Sequence, residues 1–559
     1  MSLVIYLIRV LMRSVFYPFR FLKKAPHYVV FTLEGRYADI PPLKQGFLKR
    51  KLTPREASIK ELGEQFEHVA CDRRVRGVIL HISGLKLSMA QLQTVRGFIR
   101  KLRQSDKHVV ALASNYDMAT YYVAAAANEI LITRGGSIVQ LGISRGYVFF
   151  ADALERVGLK GDFVQISPYK TAPDMLTKTE MSEEARKMAN WLLDDTYESI
   201  IHDIAKDRET SPGQIKALID DVPYTDKAAK ESGAIDGIVN QEQLPERLAT
   251  SSKPAKIVPY DSCRKRLLPK RLGRPGKYVA LIRVEGDIID GRSSRPPVKP
   301  PFKLPLLLNP RAGDLTVVEQ VRHVLKDKRA RALLLFVDSG GGSATSSEAM
   351  ASALCRLAEE KPVVVCMSSV AASGGYYVAT PGSYVVAQPG TITGSIGVFG
   401  GKLVNSGMLE KLLVNREIFQ RGENATFHGS QRPSTEGERE RVFVSIKHTY
   451  DLFLDRVSGS RNMTKEAIDT IGGGRVWTGR QALEHGLIDE LGGLDVALDK
   501  ARELAGLHER SKMKEIRSPK AYGMPIPSPA AILTYAKEGV NLLKQTHVLC
   551  ICPLLESDG

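Results

Sequence analysis

The sequence predicts an α/β protein built from two tandem domains with parallel sheets and flanking helices. Three observations support this fold class. First, Tyr-Tyr-Val-Ala stands at residues 121–124 and again at 376–379. Second, apolar runs of strand length alternate with helix-length segments in each copy, which is the order typical of parallel sheets with right-handed crossovers. Third, the copies lie about 250 residues apart, which is too long for a solenoid unit and indicates a duplicated domain.

The strands of the two copies are predicted from largely apolar runs, which are typical of strands buried in a parallel sheet. They are residues 28–33, 78–82, 108–113 and 162–166 in copy one, and 278–284, 333–337 and 362–367 in copy two. Long amphipathic segments at about 184–208 and 436–458 predict helices that cover these sheets.

Composition shifts along the chain predict five segments. They are an N-terminal membrane-associated helix (1–25), a first domain (26–250), a linker rich in Ser, Pro, Lys and Arg (251–276), a second domain (277–506) and a C-terminal tail (507–559). Within the second domain, the Pro-rich stretch 292–310 indicates a loop or lid. The tail is expected to hold one short helix at about 527–545, and its Cys550-Ile-Cys552 is interpreted as apolar tail rather than a metal or lipid site.

Charge and cysteine content limit the possible partners. The 559 residues carry a formal net charge of +17, but the basic residues are scattered and form no nucleic-acid signature. Their concentration at the N-terminus and in the linker fits attraction to an anionic membrane surface instead. Six cysteines without a C-x-x-C pair indicate neither zinc nor a disulfide framework, so we expect no metal and no cofactor.

Residues 3–22 are the one membrane-like segment of the sequence. Arg9, Arg13 and Arg20 interrupt the apolar run and fall on one face of a helix. A basic stripe on an apolar helix favours a segment that lies in the bilayer interface. A tilted membrane-spanning helix, a buried segment and a signal segment remain as alternatives.

A glycine-rich turn follows the strand at 333–337. Ser339-Gly-Gly-Gly342 precedes a helix that Thr345 and Glu348 are predicted to open as a capping box. Converging backbone N–H groups in such a turn bind a phosphate or an oxyanion. The P-loop ending Gly-Lys-Ser/Thr is missing from this turn, which disfavours phosphate, and a plain tight turn is the other interpretation.

The next strand ends in Ala372-Ser373-Gly-Gly. A serine at a strand-to-helix turn followed by glycines resembles a nucleophile elbow, in which the residue after the serine donates its N–H to the oxyanion.

The Ser373 hydroxyl needs a base, and no histidine occupies matching positions in the two copies. Lys170 follows the strand at 162–166 and can serve if burial leaves its amine neutral, although a single lysine is ordinarily a solvated surface group. Copy one has Met118 in place of the serine, and copy two lacks the lysine.

Four motifs in combination resemble the signal peptide peptidase A family, also called protease IV, of the tandem-domain type, from about residue 28 to 505. They are Tyr-Lys-Thr-Ala at 169–172, Asp-Ser-Gly-Gly-Gly-Ser at 338–343, Ala-Ser-Gly-Gly-Tyr-Tyr at 372–377 and Thr-Gly-Ser-Ile-Gly-Val at 393–398. The resemblance implies a fold shared with Clp protease and crotonase. It also implies Ser373 as the nucleophile, Lys170 as its base and Ser395 as the hydroxyl that orients the lysine. A hydrogen bond within its own loop is the other interpretation of Ser395.

The expected activity is therefore hydrolysis of hydrophobic peptides through an acyl-enzyme. The N–H groups of Gly374 and Gly341 are expected to stabilise the oxyanion. Gly340 stands where the family usually has proline, which leaves these donors available. The resemblance further implies signal peptides as substrates, a homotetramer, and association with a membrane, expected to be the bacterial inner membrane. The alternatives are an acyl-CoA hydratase or isomerase of the crotonase class, which uses carboxylates, and a non-catalytic membrane scaffold.

Overall fold

Alternating strands and helices make up most of the chain, as the sequence predicts. The structure is a computed structural model that describes residues 24–41, 57–250, 253–268, 274–296, 309–517, 529–545 and 548–552. The predicted N-terminal membrane helix and most of the predicted loop at 292–310 lie outside the described residues. No helix in the described ranges is long and apolar enough to cross a membrane.

The strands and helices of the described residues are numbered in chain order. The strands are β1 (Tyr28–Gly35), β2 (Gly77–Leu85), β3 (His108–Tyr116), β4 (Glu129–Ile138), β5 (Lys160–Gln165), β6 (Tyr224–Thr225), β7 (Gly237–Ile238), β8 (Ile257–Pro259), β9 (Arg274–Glu285), β10 (Asp287–Ile289), β11 (Arg311–Gly313), β12 (Ala330–Ser339), β13 (Gly341–Ser343), β14 (Val363–Ala372), β15 (Tyr384–Ala387), β16 (Ile392–Gly394), β17 (Phe399–Val404), β18 (Val476–Thr478), β19 (Glu490–Leu491), β20 (Ser511–Glu515) and β21 (Val548–Ile551). The helices are α1 (Ile59–Ala70), α2 (Met89–Gln104), α3 (Met118–Ala124), α4 (Ala151–Arg156), α5 (Asp174–Thr177), α6 (Glu183–Asp207), α7 (Pro212–Asp220), α8 (Asp226–Glu231), α9 (Leu244–Arg247), α10 (Tyr260–Cys263), α11 (Asp314–Lys326), α12 (Ala344–Ala358), α13 (Gly374–Ala379), α14 (Ser406–Lys411), α15 (Glu436–Arg461), α16 (Lys465–Ile471), α17 (Gly479–Glu484), α18 (Leu494–Leu504) and α19 (Pro529–Gln545).

The first compact unit comprises the described residues of 1–145 and 195–276. Its sheet has the strand order β6-β4-β3-β2-β1-β8, with β7 paired to β4. The central strands run parallel, with Val78 opposite Val29 on one side and Val109 on the other. The apolar side chains of these strands pack against those of the helices and form the core of this unit.

The second compact unit comprises the described residues of 146–194 and 277–556 and contains two sheets. The larger has the order β18-β16-β14-β12-β9-β20, with β15 between β14 and β19. Its central strands β9, β12 and β14 are parallel, as predicted. The smaller sheet, β11-β10-β13-β21-β17-β5, is mixed, since its last three pairings are antiparallel.

The segment 146–194 belongs to copy one by sequence but to the second unit by packing. Its strand β5 pairs antiparallel with β17, from Gln165 opposite Phe399 to Lys160 opposite Val404. This pairing places the residues that follow β5 in the same unit as the glycine-rich and serine motifs of copy two.

The predicted capping box at the start of α12 is wrong. Ser343 is the N-cap, and its Oγ accepts the N–H of Ser346, because the preceding residues are held in the extended strand β13. Glu348, predicted to close the box, instead accepts the hydroxyl of Tyr377 at 2.6 Å and pairs with Arg456. The α/β class and the long helices at 184–208 and 436–458 are confirmed, with α6 and α15 at these positions.

Candidate active site

Ser373 lies at the point where β14 ends and α13 begins. Its φ of +54° is uncommon for a residue with a side chain, and such conformations cluster at functional sites. The backbone is held on both sides: the N–H of Ser373 donates to the Gly394 carbonyl at 2.8 Å, and its carbonyl accepts the N–H of Tyr377 at 2.8 Å. The serine at a strand-to-helix turn is thus present as the sequence predicts.

Ser395 follows the neighbouring strand at the same edge of the sheet. Strand β16 runs parallel to the end of β14, with Ala372 opposite Gly394, so the next residue of each strand is a serine. Ser395 also has a positive φ, +50°, and its N–H donates to the Arg475 carbonyl at 2.6 Å. Because parallel strands end together, the two hydroxyls are brought to one place.

Lys170 brings its amine to both serines. Its Nζ lies 2.7 Å from Ser373 Oγ, 2.9 Å from Ser395 Oγ and 3.0 Å from the Ser395 carbonyl oxygen. All three residues are 0 % exposed. A lysine is rarely this buried, because removing its charge from water is costly unless the charge is paired or lost.

Burial lowers the pKa of Lys170 to about 8, from an ordinary value of 10.5. The nearby Cys550 and Cys552 act in the opposite direction on this pKa, and their effect is smaller. The three neighbours of the amine match a neutral –NH₂ group, whose two N–H bonds and one lone pair can each face one partner. Ser395 offers two acceptors, which leaves the lone pair for the Ser373 hydroxyl.

Close approach of another backbone fixes the position of Lys170. A Cβ added to Gly474 would stand 2.6 Å from Lys170 Cα, and Gly474 has a φ of +97°. The N–H of Gly474 donates to the Ile396 carbonyl at 2.7 Å, one residue beyond Ser395. Only glycine fits between the lysine backbone and this loop.

An aromatic stack supports the same segment. The ring centroid of Trp191 lies 5.0 Å from that of Trp477 and 6.2 Å from that of Tyr169, which directly precedes the lysine. Trp191 Nε1 donates to the Val476 carbonyl at 2.9 Å, and the guanidinium of Arg475 lies 4.0 Å from the Tyr169 ring centroid. The stack fastens the Lys170 segment to β18, the strand next to β16.

The two glycines predicted as oxyanion donors lie side by side. A Cβ added to Gly341 would stand 2.7 Å from the Gly374 nitrogen, and one added to Gly374 would stand 3.1 Å from Gly341 Cα. Gly341 has a φ of +103°, and its N–H donates to Ser339 Oγ at 3.1 Å. The turn therefore needs glycine both for its conformation and for the close approach.

Sequence reasoning missed several residues of this site. The second glycine run, 472–474, and the tryptophans Trp191 and Trp477 were visible in the sequence but lay far from the serine motifs. The strand β21, from the predicted tail, was missed as well, although Cys550 is buried against Ser373. No group of His, Cys, Asp and Glu in the described residues could hold a metal ion.

Comparison with known proteins agrees with this geometry. The model of peptidase family S49 matches twice, at residues 101–254 and 356–508. The chloroplastic serine protease SPPA of Arabidopsis thaliana is 32% identical over 509 residues, which cover 89% of this chain and 72% of that protein. Protease 4 of Salmonella typhi is 28% identical over 471 residues, covering 81% of this chain and 73% of that protein. The two matches to the family model cover more than half of the chain. The chain therefore belongs to peptidase family S49 and is a serine protease.

Proposed function

We propose that the protein cleaves peptide bonds with Ser373 as the nucleophile and Lys170 as its general base. The observation that carries this proposal is the fully buried amine 2.7 Å from the serine oxygen. A base must lie within hydrogen-bonding reach of the proton that it takes and have a pKa near the working pH. Lys170 meets both conditions.

The proposed reaction has two halves. Lys170 takes the Ser373 proton while Oγ attacks the scissile carbonyl carbon, and it then passes this proton to the leaving amine as the peptide C–N bond breaks. Water next attacks the resulting ester with Lys170 again as base, which releases the carboxylic acid and restores the serine. Ser395 orients the amine. The N–H of Gly374 stabilises the oxyanion, and so does that of Gly341 once it exchanges its bond to Ser339 Oγ for one to the oxyanion.

The test compares variants in cleavage of a blocked apolar peptide. Ser373→Ala and Lys170→Met are expected to lower kcat by about 10³-fold or more, since each removes the nucleophile or its base. Lys187→Met is the matched control, because its amine is an exposed surface group with a 3.9 Å pair to Glu183. Cleavage by Lys170→Met at more than about a tenth of the parent rate would contradict the assigned base.

The proposed substrates are hydrophobic peptides of the signal-peptide class. A buried apolar cluster beside the site supports this, since Phe399, Ile289 and Ala172 pack together next to the Lys170 segment. We expect kcat/KM to fall by at least about tenfold when every second apolar residue of a peptide is replaced by glutamate. Equal cleavage of the charged and apolar peptides would contradict this substrate class.

We further propose association with a membrane surface and assembly into a homotetramer. Exposed apolar side chains support assembly, because Leu413, Val414 and Phe419 lie within one short stretch and are 89%, 49% and 87% exposed. Size-exclusion chromatography with light scattering should give four times the monomer mass, and Phe419→Asp should lower it. Vesicle flotation should be lost when Arg9, Arg13 and Arg20 become glutamate. A monomer would contradict the proposed assembly, and flotation unaffected by these substitutions would contradict the proposed membrane association.

The crotonase alternative is disfavoured, since the Lys170 amine contacts hydroxyls and a carbonyl rather than a carboxylate.

A further inference from the structure

A strand from the predicted tail lies in the middle of the sheet beside the active site. Strand β21 pairs antiparallel with β13 on one side, where Gly342 is opposite Cys550, and with β17 on the other, where Phe399 is opposite Leu549. The pairing continues one residue further, as the N–H of Cys552 donates to the Gly340 carbonyl at 2.7 Å. An extended segment bound between two strands is the way in which many proteins bind peptides.

The side chains of this strand alternate between two surroundings, as expected for a strand. Leu549 packs in the cluster of Phe399, Ile289 and Ala172, with Ile551 against it. Cys550 and Cys552 face the opposite side, where they are 0 % and 2 % exposed. The thiol of Cys550 lies against the Ser373 hydroxyl, and burial raises its pKa to about 11.

The backbone of Cys550 is directed at the glycine turn. A Cβ added to Gly341 would stand 1.8 Å from the Cys550 carbonyl oxygen and 2.7 Å from the Gly374 nitrogen. The carbonyl oxygen thus lies beside the two glycines that we assign to the oxyanion. Among the residues of β21, Cys550 has both its side chain at the nucleophile and its carbonyl at this turn.

The nucleophile and its base are closed to solvent in this arrangement. Ser373 and Lys170 have no exposed surface while β21 is paired. A peptide that paired with β13 or β17 beside Ser373 would need the strand edges that β21 already occupies.

We propose that residues 548–552 occupy the substrate groove of their own chain, so that a peptide substrate binds only after displacing them. This inference rests on the proposed role of Ser373. It also specifies the substrate further: an extended apolar segment that pairs with β13 and β17 and has a small side chain, of about the size of cysteine, where Cys550 now lies.

Two truncated chains test the proposal. A chain ending after Gln545 lacks β21, and a chain ending after Cys552 keeps it and is the control. We expect kcat/KM on an apolar peptide to rise about tenfold or more in the shorter chain, because the fraction of molecules with an open groove rises. We expect the control to match the full chain. Equal rates for all three chains would overturn the proposal.

A full-length variant tests the proposal independently, in case the truncated chain misfolds. Leu549→Asp places a charge in the apolar cluster of Phe399 and should release the strand, which would raise kcat/KM in the same direction. Leu533→Asp makes the same change at a 70% exposed position of α19 and should leave the rate unchanged. A Leu549→Asp chain that stays folded and is no faster than Leu533→Asp would contradict the proposal.

A second readout does not depend on hydrolysis. Alkylation of Cys550, followed by mass spectrometry with the exposed Cys71 as reference, should be slow in the full chain and faster when an apolar peptide is added. If no chain cleaves peptide but this protection and release occur, the groove assignment stands and the proposed hydrolysis fails. If Cys550 reacts as fast as Cys71 without peptide, the strand does not occupy the groove.

Discussion

The ionisation of Lys170 leads to a quantitative prediction about pH. Only the neutral amine can accept the Ser373 proton, so the acylation rate should follow the neutral fraction. With the pKa lowered to about 8 by burial, about a tenth of the amine is neutral at pH 7. An ordinary lysine would be about 300-fold less neutral at that pH. Burial therefore accounts for most of the neutral amine that can act as a base near pH 7.

The expected profile has a definite sign. The logarithm of kcat/KM should rise with slope one below about pH 8 and level off above it, since protonation of a base blocks the reaction at low pH. The assay uses a blocked peptide without titratable groups, and circular dichroism checks the fold at each pH. The profile of Lys187→Met should be the same, because that lysine is exposed.

Three outcomes would refute this assignment. A flat profile would mean that Lys170 does not titrate in the rate-determining step. A rate that falls as pH rises would require a protonated catalyst. An inflection near 10.5 would mean that the amine is as hydrated as that of an ordinary lysine, despite its complete burial.

The remaining predictions concern the groups around this amine. Because the pKa of Lys170 is lower in the folded chain than in the unfolded one, the lysine destabilises the fold below pH 8, and this penalty disappears as pH rises towards 10.5. Lys170→Met should therefore raise the unfolding free energy by up to about 3 kcal/mol at pH 7 and by less at pH 10, measured by urea denaturation. Ser395→Ala removes a partner at 2.9 Å and should lower kcat by about tenfold with KM unchanged, in steady-state kinetics. Trp191→Ala opens the aromatic stack and should cost about 3 kcal/mol of stability, whereas Trp191→Phe should keep most of it. An unchanged stability or rate in any of these variants would contradict the role given to that residue.

The positions of Ser373 and Ser395 could be predicted from sequence because they depend on the strands that directly precede them. A buried strand that ends in Ser-Gly-Gly predicts a serine at the edge of a parallel sheet, and Ser373 lies there. The next strand along that edge ends before Ser395, so sheet topology alone brings the two serines together. The glycine turn at 341 follows from the same reasoning.

The lysine half could not be derived in this way. Lys170 follows a strand of copy one, and only the resemblance to a family linked it to Ser373. What joins them is the pairing of β5 with β17, a contact between residues far apart in the sequence. The supporting groups, Gly474 and Trp191, are likewise distant, and nothing in their local sequence indicates what they touch.

The strand β21 was missed for a different reason. Residues 548–551 are four consecutive apolar residues and lack the alternation of polar and apolar side chains that predicts a half-buried strand. The sequence alone therefore does not distinguish this strand from an apolar tail. Both faces of β21 are buried in the sheet, which is why its sequence lacks the period of an exposed strand. The capping box at Thr345 failed because β13 holds the preceding backbone and moves the start of the helix.

The central claim is that Lys170 activates Ser373, and trapping of the nucleophile tests it most directly. The chain ending after Gln545 is treated at pH 8 with an alkyl fluorophosphonate, and the labelled peptide is identified by mass spectrometry. We predict a single label on Ser373, formed at least about 100-fold more slowly in Lys170→Met than in the parent. Labelling of another serine, or equal rates in a folded Lys170→Met chain, would contradict the claim.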